Sequence, residues 1–247
     1  MHLIAFVDLD DTLFQTLPKC PADIPPEALT PLGFARDGSP LSYATPRQIS
    51  FLKWLSEAAI LIPVTGRSRN ALERVQMNWS RAVCAHGGVI LDAPGQVDRA
   101  WAENMARGAE AHGGLMSEIA AWLRASAGDV PIAVTIVEEA GTPLYVLAKH
   151  SDGDAAALSA VMDAMEPFDA PGWTLHRNGN NAAFLPPFLS KRAAVERLIA
   201  ELRATYPDAA FLGVGDSITD APFMALCDFA ALPTASQLAD AAFLRFA

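Results

Sequence analysis

The sequence predicts an α/β protein whose parallel sheet is interrupted by an inserted α+β domain. Three observations predict it. Apolar runs at Leu3–Leu9, Ala59–Val64 and Ala209–Val214 each stop at a polar cluster and are followed by helical spacing. From about residue 90 to 184 that rhythm gives way to a long helical stretch and alternating strands. After Pro186-Pro187 the βα rhythm returns.

Taken in order, Leu3–Leu9 reads as a buried strand cut off by carboxylates, and residues 18–46, rich in proline and turn formers, as an irregular connection. Ile49, Leu52 and Leu55 recur at helical spacing, so Pro46–Ala58 is a helix. Ala59–Val64 is a strand, and Ser68–Met77 a helix capped by Ser68 or Asn70. Ala82–Ala85 is a short strand ending in His86-Gly87-Gly88, with a hairpin around Ala93-Pro94-Gly95. Trp101–Ala127 is a long helix with a possible break at Gly113-Gly114. Ile132–Glu138 and Leu144–His150 are strands, Asp154–Met165 a helix, and Thr174–Leu185 a strand pair turning near Asn178-Gly179. Lys191–Thr205 is a helix, Ala209–Val214 a strand, Ala221–Leu226 a short helix and Phe229–Leu232 a last strand. The expected domains are a core of residues 1–89 and 185–247 and an insert of residues 90–184.

Composition bounds the function. With 51% apolar residues the chain can bury a real core, and a net charge of −10 argues against a nucleic-acid footprint. It leaves room for an anionic substrate held by local cations. The apolar N-terminal run is short and interrupted by Asp8, so neither a signal peptide nor a membrane span is expected. Cys20, Cys84 and Cys227 are odd in number and lack metal-like spacing, which points to reduced thiols and a cytoplasmic setting.

Chemistry concentrates at three strand ends: Asp8-Leu9-Asp10-Asp11-Thr12, Thr65-Gly66-Arg67 and Gly215-Asp216-Ser217-Ile218-Thr219-Asp220. In a parallel sheet ligands bind outside the carboxyl ends of the strands, so the three clusters converge. Asp8 and Asp10, two apart on extended chain, point to the same side, and close carboxylates repel unless a cation or proton lies between them. Asp216 from a neighbouring strand completes an oxygen-rich site suited to Mg²⁺. Thr65 and Gly66 offer a hydroxyl and unhindered N–H groups to a phosphoryl oxygen, or form an ordinary strand-to-helix turn. Arg67 can pair with phosphate or substrate, or with a local carboxylate. Lys191, at a helix start, can neutralise the aspartates and the incoming phosphate. Asp220 is either a carboxylate behind the metal ligands that orients water or Lys191, or a helix cap.

These residues resemble the haloacid dehalogenase-like (HAD) hydrolase superfamily. Asp8-Leu9-Asp10-Asp11-Thr12 is similar to its first motif, Thr65-Gly66-Arg67 to its second, Lys191 to its third, and Gly215 to Asp220 to its fourth, in family order. The insert resembles the C2B cap of the Cof-type and sucrose-phosphate-phosphatase-like branch. The resemblance implies a Rossmann-like HAD core with a C2B-type cap and a Mg²⁺-dependent phosphomonoester hydrolase. It implies Asp8 as nucleophile, Asp10 as proton donor and then base, and Thr65 and Lys191 as phosphoryl-holding residues. Mg²⁺ is implied on Asp8, the Asp10 backbone carbonyl and Asp216, with Asp220, Ser217 and Thr12 supporting them. Gly66, Arg67 and Asn181 are the expected substrate contacts. Further cap candidates are Lys149, His150, His176, Arg177, Asn178 and Asn180. The expected substrate is a small phosphorylated metabolite, a sugar or sugar-acid phosphate. The alternatives are a phosphoglycolate- or nucleotide-type phosphatase, a phosphomutase, or a catalytically silent binding module on the same fold. The chain departs from the family pattern at Arg192, Thr219, Ala183 and His86, and none of these removes a catalytic group.

Overall fold

The computed structural model describes residues 2–164 and 169–243. It divides into two compact units, Met1–Asp98 with Ser190–Ala247, and Arg99–Leu189. The strands and helices, in chain order, are β1 (Leu3–Val7), β2 (Gln15–Thr16), β3 (Thr30–Phe34), β4 (Pro40–Ala44), α1 (Pro46–Ala58), β5 (Ile60–Pro63), α2 (Arg69–Leu72), β6 (Ala82–Cys84), β7 (Val89–Ala93) and β8 (Gln96–Val97). The insert follows with α3 (Arg99–Ala127), β9 (Ile132–Glu139), β10 (Thr142–His150), α4 (Ala155–Ala164), β11 (Thr174–Asn178) and β12 (Asn181–Leu185). The chain returns with α5 (Lys191–Thr205), β13 (Ala210–Val214), α6 (Ala221–Met224), β14 (Phe229–Ala231) and α7 (Gln237–Phe243).

The first unit is built on a parallel sheet in the order β14-β13-β1-β5. Val64 bridges Val83 in parallel beyond β5, which carries β6 alongside. Both neighbours of β1 are distant in sequence, so the strand order reverses there, and in such sheets ligands bind outside the carboxyl end at that point. Central position explains composition: Ile4, Ala5, Phe6 and Val7 are all fully buried.

Residues 18–46, expected to be irregular, instead contribute β3 and β4, which pair with β2 in a three-stranded antiparallel sheet. The missed signal is Asp37-Gly38: Gly38 has φ +82°, Ser39 N–H donates to Asp37 Oδ1 at 3.0 Å, and Ala35 N–H donates to the Ser39 carbonyl at 2.8 Å. Prolines at 31 and 40 disguise the strands, since such residues suit short edge strands. The same sheet shortens α2, expected to reach Met77. Gln76 N–H donates to the Leu32 carbonyl at 2.7 Å and Phe34 N–H to the Arg74 carbonyl at 3.0 Å, so β3 captures the backbone that a longer helix would use. Ser68 caps α2, accepting from Ala71 N–H at 3.2 Å.

α1 runs over the expected residues. Gln48 N–H donates to Thr45 Oγ1 at 3.2 Å and Thr45 N–H to Gln48 Oε1 at 2.9 Å, a reciprocal capping box. Gln48 also reaches Gln15 Oε1 at 2.7 Å and the Thr12 carbonyl at 3.4 Å, which ties the start of α1 to the loop after β1.

The second unit has an antiparallel sheet ordered β11-β12-β10-β9. One face carries Val146, Ala148 and Ala182 against Met116, Ile119, Ala120 and Leu123 of α3 and Leu158 and Met162 of α4. The helix-strand-strand-helix-strand-strand order matches the expected cap. α3 is continuous through Gly113-Gly114: Met116, Ile119, Ala120 and Leu123 after the pair pack on the sheet, and Trp101, Met105 and Ala109 before it are buried. Asp154 caps α4, accepting from Ala156 and Ala157 N–H at 2.9 Å each; Met165, the expected end of this helix, lies outside the described residues. The unit boundaries fall at Asp98/Arg99 and Leu189/Ser190 rather than at 89/90 and 184/185. The first difference has a plain cause: β7 and β8 continue a hairpin from β6 and stay with the first unit. No helix among the described residues is long and apolar enough to cross a membrane.

Replacing Thr45 by Ala removes half of the capping box and is expected to cost about 1 kcal/mol. Thermal denaturation should show a fall in Tm of about 2–4 °C, and an unchanged Tm would count against the cap.

Candidate active site

Hydrogen bonds of the parallel sheet deliver the acidic residues. Asp8 follows β1 directly, and its N–H donates to the Val214 carbonyl at 2.9 Å, so the ends of β1 and β13 are locked side by side. The loop after it turns sharply: Asp11 has φ +65°, a conformation that Asp tolerates, and its N–H donates to the Phe14 carbonyl at 2.8 Å. This turn returns Thr12, buried, beneath Asp8. Thr12 Oγ1 lies 3.2 Å from Asp8 Oδ2 and 3.0 Å from Asp216 Oδ1.

Lys191 opens α5, capped by Ser190, whose Oγ accepts from Ala193 N–H at 3.4 Å. Its position depends on Gly87. A Cβ there would stand 2.2 Å from the Ser190 carbonyl oxygen, and its φ of +102° excludes ordinary side chains. Only glycine lets the turn after β6 abut the start of α5. From there Lys191 Nζ donates to Asp8 Oδ1 and to Asp220 Oδ1, both at 2.7 Å. The ammonium also sits 5.9 Å from the Phe223 ring centre. Asp220 Oδ2 accepts from Ser217 N–H at 3.1 Å and Ser217 Oγ at 2.6 Å. Both Asp220 oxygens are thereby occupied, and its side chain does not cap α6.

Thr65 lies just past β5, with its N–H donating to the Val83 carbonyl at 2.9 Å, and its Oγ1 accepts from Arg67 N–H at 3.1 Å. The next residue is glycine for a steric reason: a Cβ on Gly66 would stand 2.5 Å from the His86 ring. His86 and Ala85 both have positive φ, 56° and 49°, and the turn they form is held by Ala85 N–H on the Arg67 carbonyl at 2.7 Å and His86 N–H on the Thr65 carbonyl at 3.1 Å. Arg67 itself forks onto Asp10: Nε donates to Oδ2 at 2.7 Å and Nη2 to Oδ1 at 2.6 Å.

Electrostatics follow from this crowding. Burial drives the Asp8 carboxyl well above the ordinary range, with Lys191 opposing and Asp220 adding to the rise. Burial, with Asp220 nearby, pushes Asp216 up to about 6. At Asp220 burial is outweighed by Lys191 and Ser217, which hold it low. Lys191 stays charged, raised by Asp8 and Asp220 against the pull of its own burial. One ammonium thus serves three carboxylates. Oxygens of Asp8, Asp216 and Asp220 lie within 4.8 Å of one another. The single hydroxyl hydrogen of Thr12 cannot satisfy Asp8 and Asp216 together. A hard divalent cation on Asp8 and Asp216 fits this deficit.

No protein-family model matches the chain, and no curated protein matches it. Solved structures do. The sucrose-phosphatase of Synechocystis sp. PCC6803, determined with sucrose and phosphate, superposes with a TM-score of 0.57 at 17% identity, covering 100% of this chain and 89% of that one. The chain has the HAD-type fold with a C2-type cap. The C-terminal domain of C. albicans trehalose-6-phosphate phosphatase also matches, with a TM-score of 0.54 at 16% identity over 90% of this chain and 72% of that one.

On this HAD-type core, Asp8, Thr12, Lys191, Asp216, Ser217 and Asp220 form one hydrogen-bonded cluster, with Asp10, Thr65, Gly66 and Arg67 on the adjoining loops. Sequence reading missed Ser42 on β4, which accepts from Arg67 Nη2 at 3.1 Å, because its segment was taken as irregular. In the cap, strand register sorts the expected contacts. Lys149 and Asn178 both pair with Asn181, and His176 pairs with Ala183, so all four polar residues lie on the face away from α3 and α4. Arg177 lies on the other face, bonded to Asp163 at 2.6 Å. His150 is buried and accepts from Asp152 and Asp154 N–H at 3.3 Å each; its role is to hold a turn. Asn180 is tied to the His150 carbonyl at 3.3 Å and to Asn181 at 3.2 Å.

The charge deficit sets a test that needs no substrate. Asp216 is raised when folded, so without cation it adds stability at low pH that is lost as pH climbs from about 4 to about 6. Millimolar Mg²⁺ held on Asp216 would compete with that proton. It should raise Tm more at about pH 7.5 than at about pH 5, and Asp216→Asn should remove most of the gain. An equal gain in the variant would place the cation elsewhere.

Proposed function

We propose that this protein is a divalent-cation-dependent phosphomonoester hydrolase acting through an aspartyl-phosphate on Asp8. The observation that carries the reading is the Lys191–Asp8 contact at 2.7 Å, buried beside Asp216 and behind the shared Thr12 hydroxyl. It joins an anchored nucleophile, a fixed cation and a second acidic ligand at the end of a central strand.

Asp8, the Asp10 backbone carbonyl and Asp216 would hold Mg²⁺, which when bound supplies positive charge to the phosphoryl oxygens and to the attacking carboxylate. The protein's own groups perform the rest. Thr65 and the unhindered Gly66 backbone orient the phosphoryl group, and Lys191 neutralises it from the α5 side. An Asp8 carboxylate oxygen attacks phosphorus and the bond to the leaving oxygen breaks. The proton of the Asp10 carboxyl passes to the departing alkoxide. A water then gives its proton to the Asp10 carboxylate as it attacks the same phosphorus. The phosphorus–Asp8 bond breaks, which restores the Asp8 carboxylate and releases inorganic phosphate. Asp220 fixes the Lys191 ammonium, and Ser217 fixes Asp220 in turn.

A small sugar or sugar-acid phosphate is the substrate class. Support comes from the cap face that carries Lys149, His176, Asn178 and Asn181, since amides, imidazole and ammonium suit hydroxyl and carboxylate groups. The solved sucrose-phosphatase that shares the fold was determined with a sugar and phosphate.

Turnover of p-nitrophenyl phosphate should require Mg²⁺ and vanish with a chelator. Asp8→Asn should cost on the order of 10⁴-fold or more in kcat with the fold intact. Asp10→Asn should cost about 10²–10⁴-fold while Mg²⁺ affinity is kept, because only its backbone oxygen would hold the metal. Substantial Asp8→Asn turnover would rule out the covalent route. In a panel of phosphorylated metabolites ranked by kcat/KM, Asn181→Ala should lower the value for the best sugar phosphate while sparing p-nitrophenyl phosphate. Equal losses on both would deny a cap contact to the sugar.

A further inference from the structure

Arg67 follows the Thr65-Gly66 pair, and from sequence it can pair with phosphate or substrate or with a local carboxylate. Its surroundings favour the carboxylate. Nε and Nη2 are spent on the two oxygens of Asp10, at 2.7 and 2.6 Å, in the planar fork geometry that only arginine supplies. Nη2 also donates to Ser42 Oγ at 3.1 Å. The guanidinium carbon lies 5.0 Å from the centre of the Phe14 ring, which supports it from below. The Arg67 side chain is only 13% exposed against 34% for Asp10. The backbone is pinned as well, by Thr65 Oγ1 on its N–H and by Ala85 N–H on its carbonyl. Burial works against the charge, yet Asp10 more than compensates, so the guanidinium stays ionised.

We infer that Arg67 is a positioning residue for Asp10, and that the β2-β4-β3 sheet exists at this site to seat it through Ser42. The inference rests on the phosphatase reading above. A carboxyl group that must donate a proton and then accept one has to meet the leaving oxygen and the incoming water at hydrogen-bond distance. Free rotation of its last torsion would scatter the two oxygens. The fork removes that freedom while leaving the outer flank of Asp10 open. One of the two hydrogen bonds is released when an oxygen takes up its proton, and the other still holds the group in place. Ser42 is buried on β4, and Phe14 belongs to the same loop as Asp10. Arg67 therefore joins three segments distant in sequence: the loop after β1, the small antiparallel sheet and the loop after β5.

The test combines kinetics with a binding measurement. Arg67→Met should lower kcat for a phosphoester by about 10–100-fold with KM little changed. Its Kd for inorganic phosphate in the presence of Mg²⁺ should stay within about threefold of wild type, because the phosphate does not touch Arg67. In the Asp10→Asn background the same substitution should change kcat by less than about twofold, since the group it positions is already lost. Arg67→Lys, which keeps the charge but not the fork, should recover only part of kcat, and Ser42→Ala should show a smaller loss of the same kind. A tenfold or larger weakening of phosphate binding would make Arg67 a clamp and overturn the inference. Full additivity with Asp10→Asn would overturn it too. Either result leaves the phosphatase reading standing, whereas absence of Mg²⁺-dependent turnover in the wild-type protein removes both.

Discussion

An ammonium group held between two buried carboxylates is the interaction on which the rest of this site depends. Lys191 stands 2.7 Å from both Asp8 and Asp220. Burying these charges is costly, and the cost is offset only because each has hydrogen-bonded partners. Thr12 and Ser217 supply those partners. The surplus negative charge left by Asp216 is what lets the cluster hold a metal ion, beyond a structural ion pair alone.

Two frameworks deliver that interaction from opposite directions. The parallel sheet fixes Asp8 beside Val214, so β1 and β13 present their carboxyl ends together. The turn after β6 fixes the start of α5 through the close passage of Gly87 against Ser190. Its other residues hold the Thr65–Arg67 loop by backbone hydrogen bonds. One short segment, Ala85–Gly87, therefore sets both the Thr65–Arg67 loop and the lysine. Backbone strain in this turn, at Ala85 and His86, is concentrated where the Thr65–Arg67 loop meets the start of α5.

Much of this was legible in the sequence, and the limits have physical causes. Strongly apolar strands such as Ile4–Val7 announce themselves because burial on both faces removes polar residues. Helix α5 was legible over the residues it occupies, Lys191–Thr205, and in the structure Ser190 caps it. The acidic clusters were readable because carboxylates rarely end two adjacent buried strands without a cation to share. The β3–β4 hairpin was not, because its proline and glycine content mimics a loop until the Asp37-Gly38 turn is weighed. That omission hid Ser42, and with it the meaning of Arg67, whose two possible partners are indistinguishable from spacing alone. The helical cap face and its opposite were likewise invisible until register paired Asn181 with Lys149 and Asn178. A one-residue shift would have exchanged the faces.

The whole account turns on a covalent bond to one particular carboxylate. During steady turnover of a phosphoester, acid quenching followed by borohydride reduction converts an acyl-phosphate to an alcohol, and peptide mass spectrometry locates it. The account predicts conversion at position 8 alone, dependent on Mg²⁺ and reduced in Lys191→Met. Rapid turnover with no modified carboxylate, or with the modification at Asp10, Asp216 or Asp220, would contradict it.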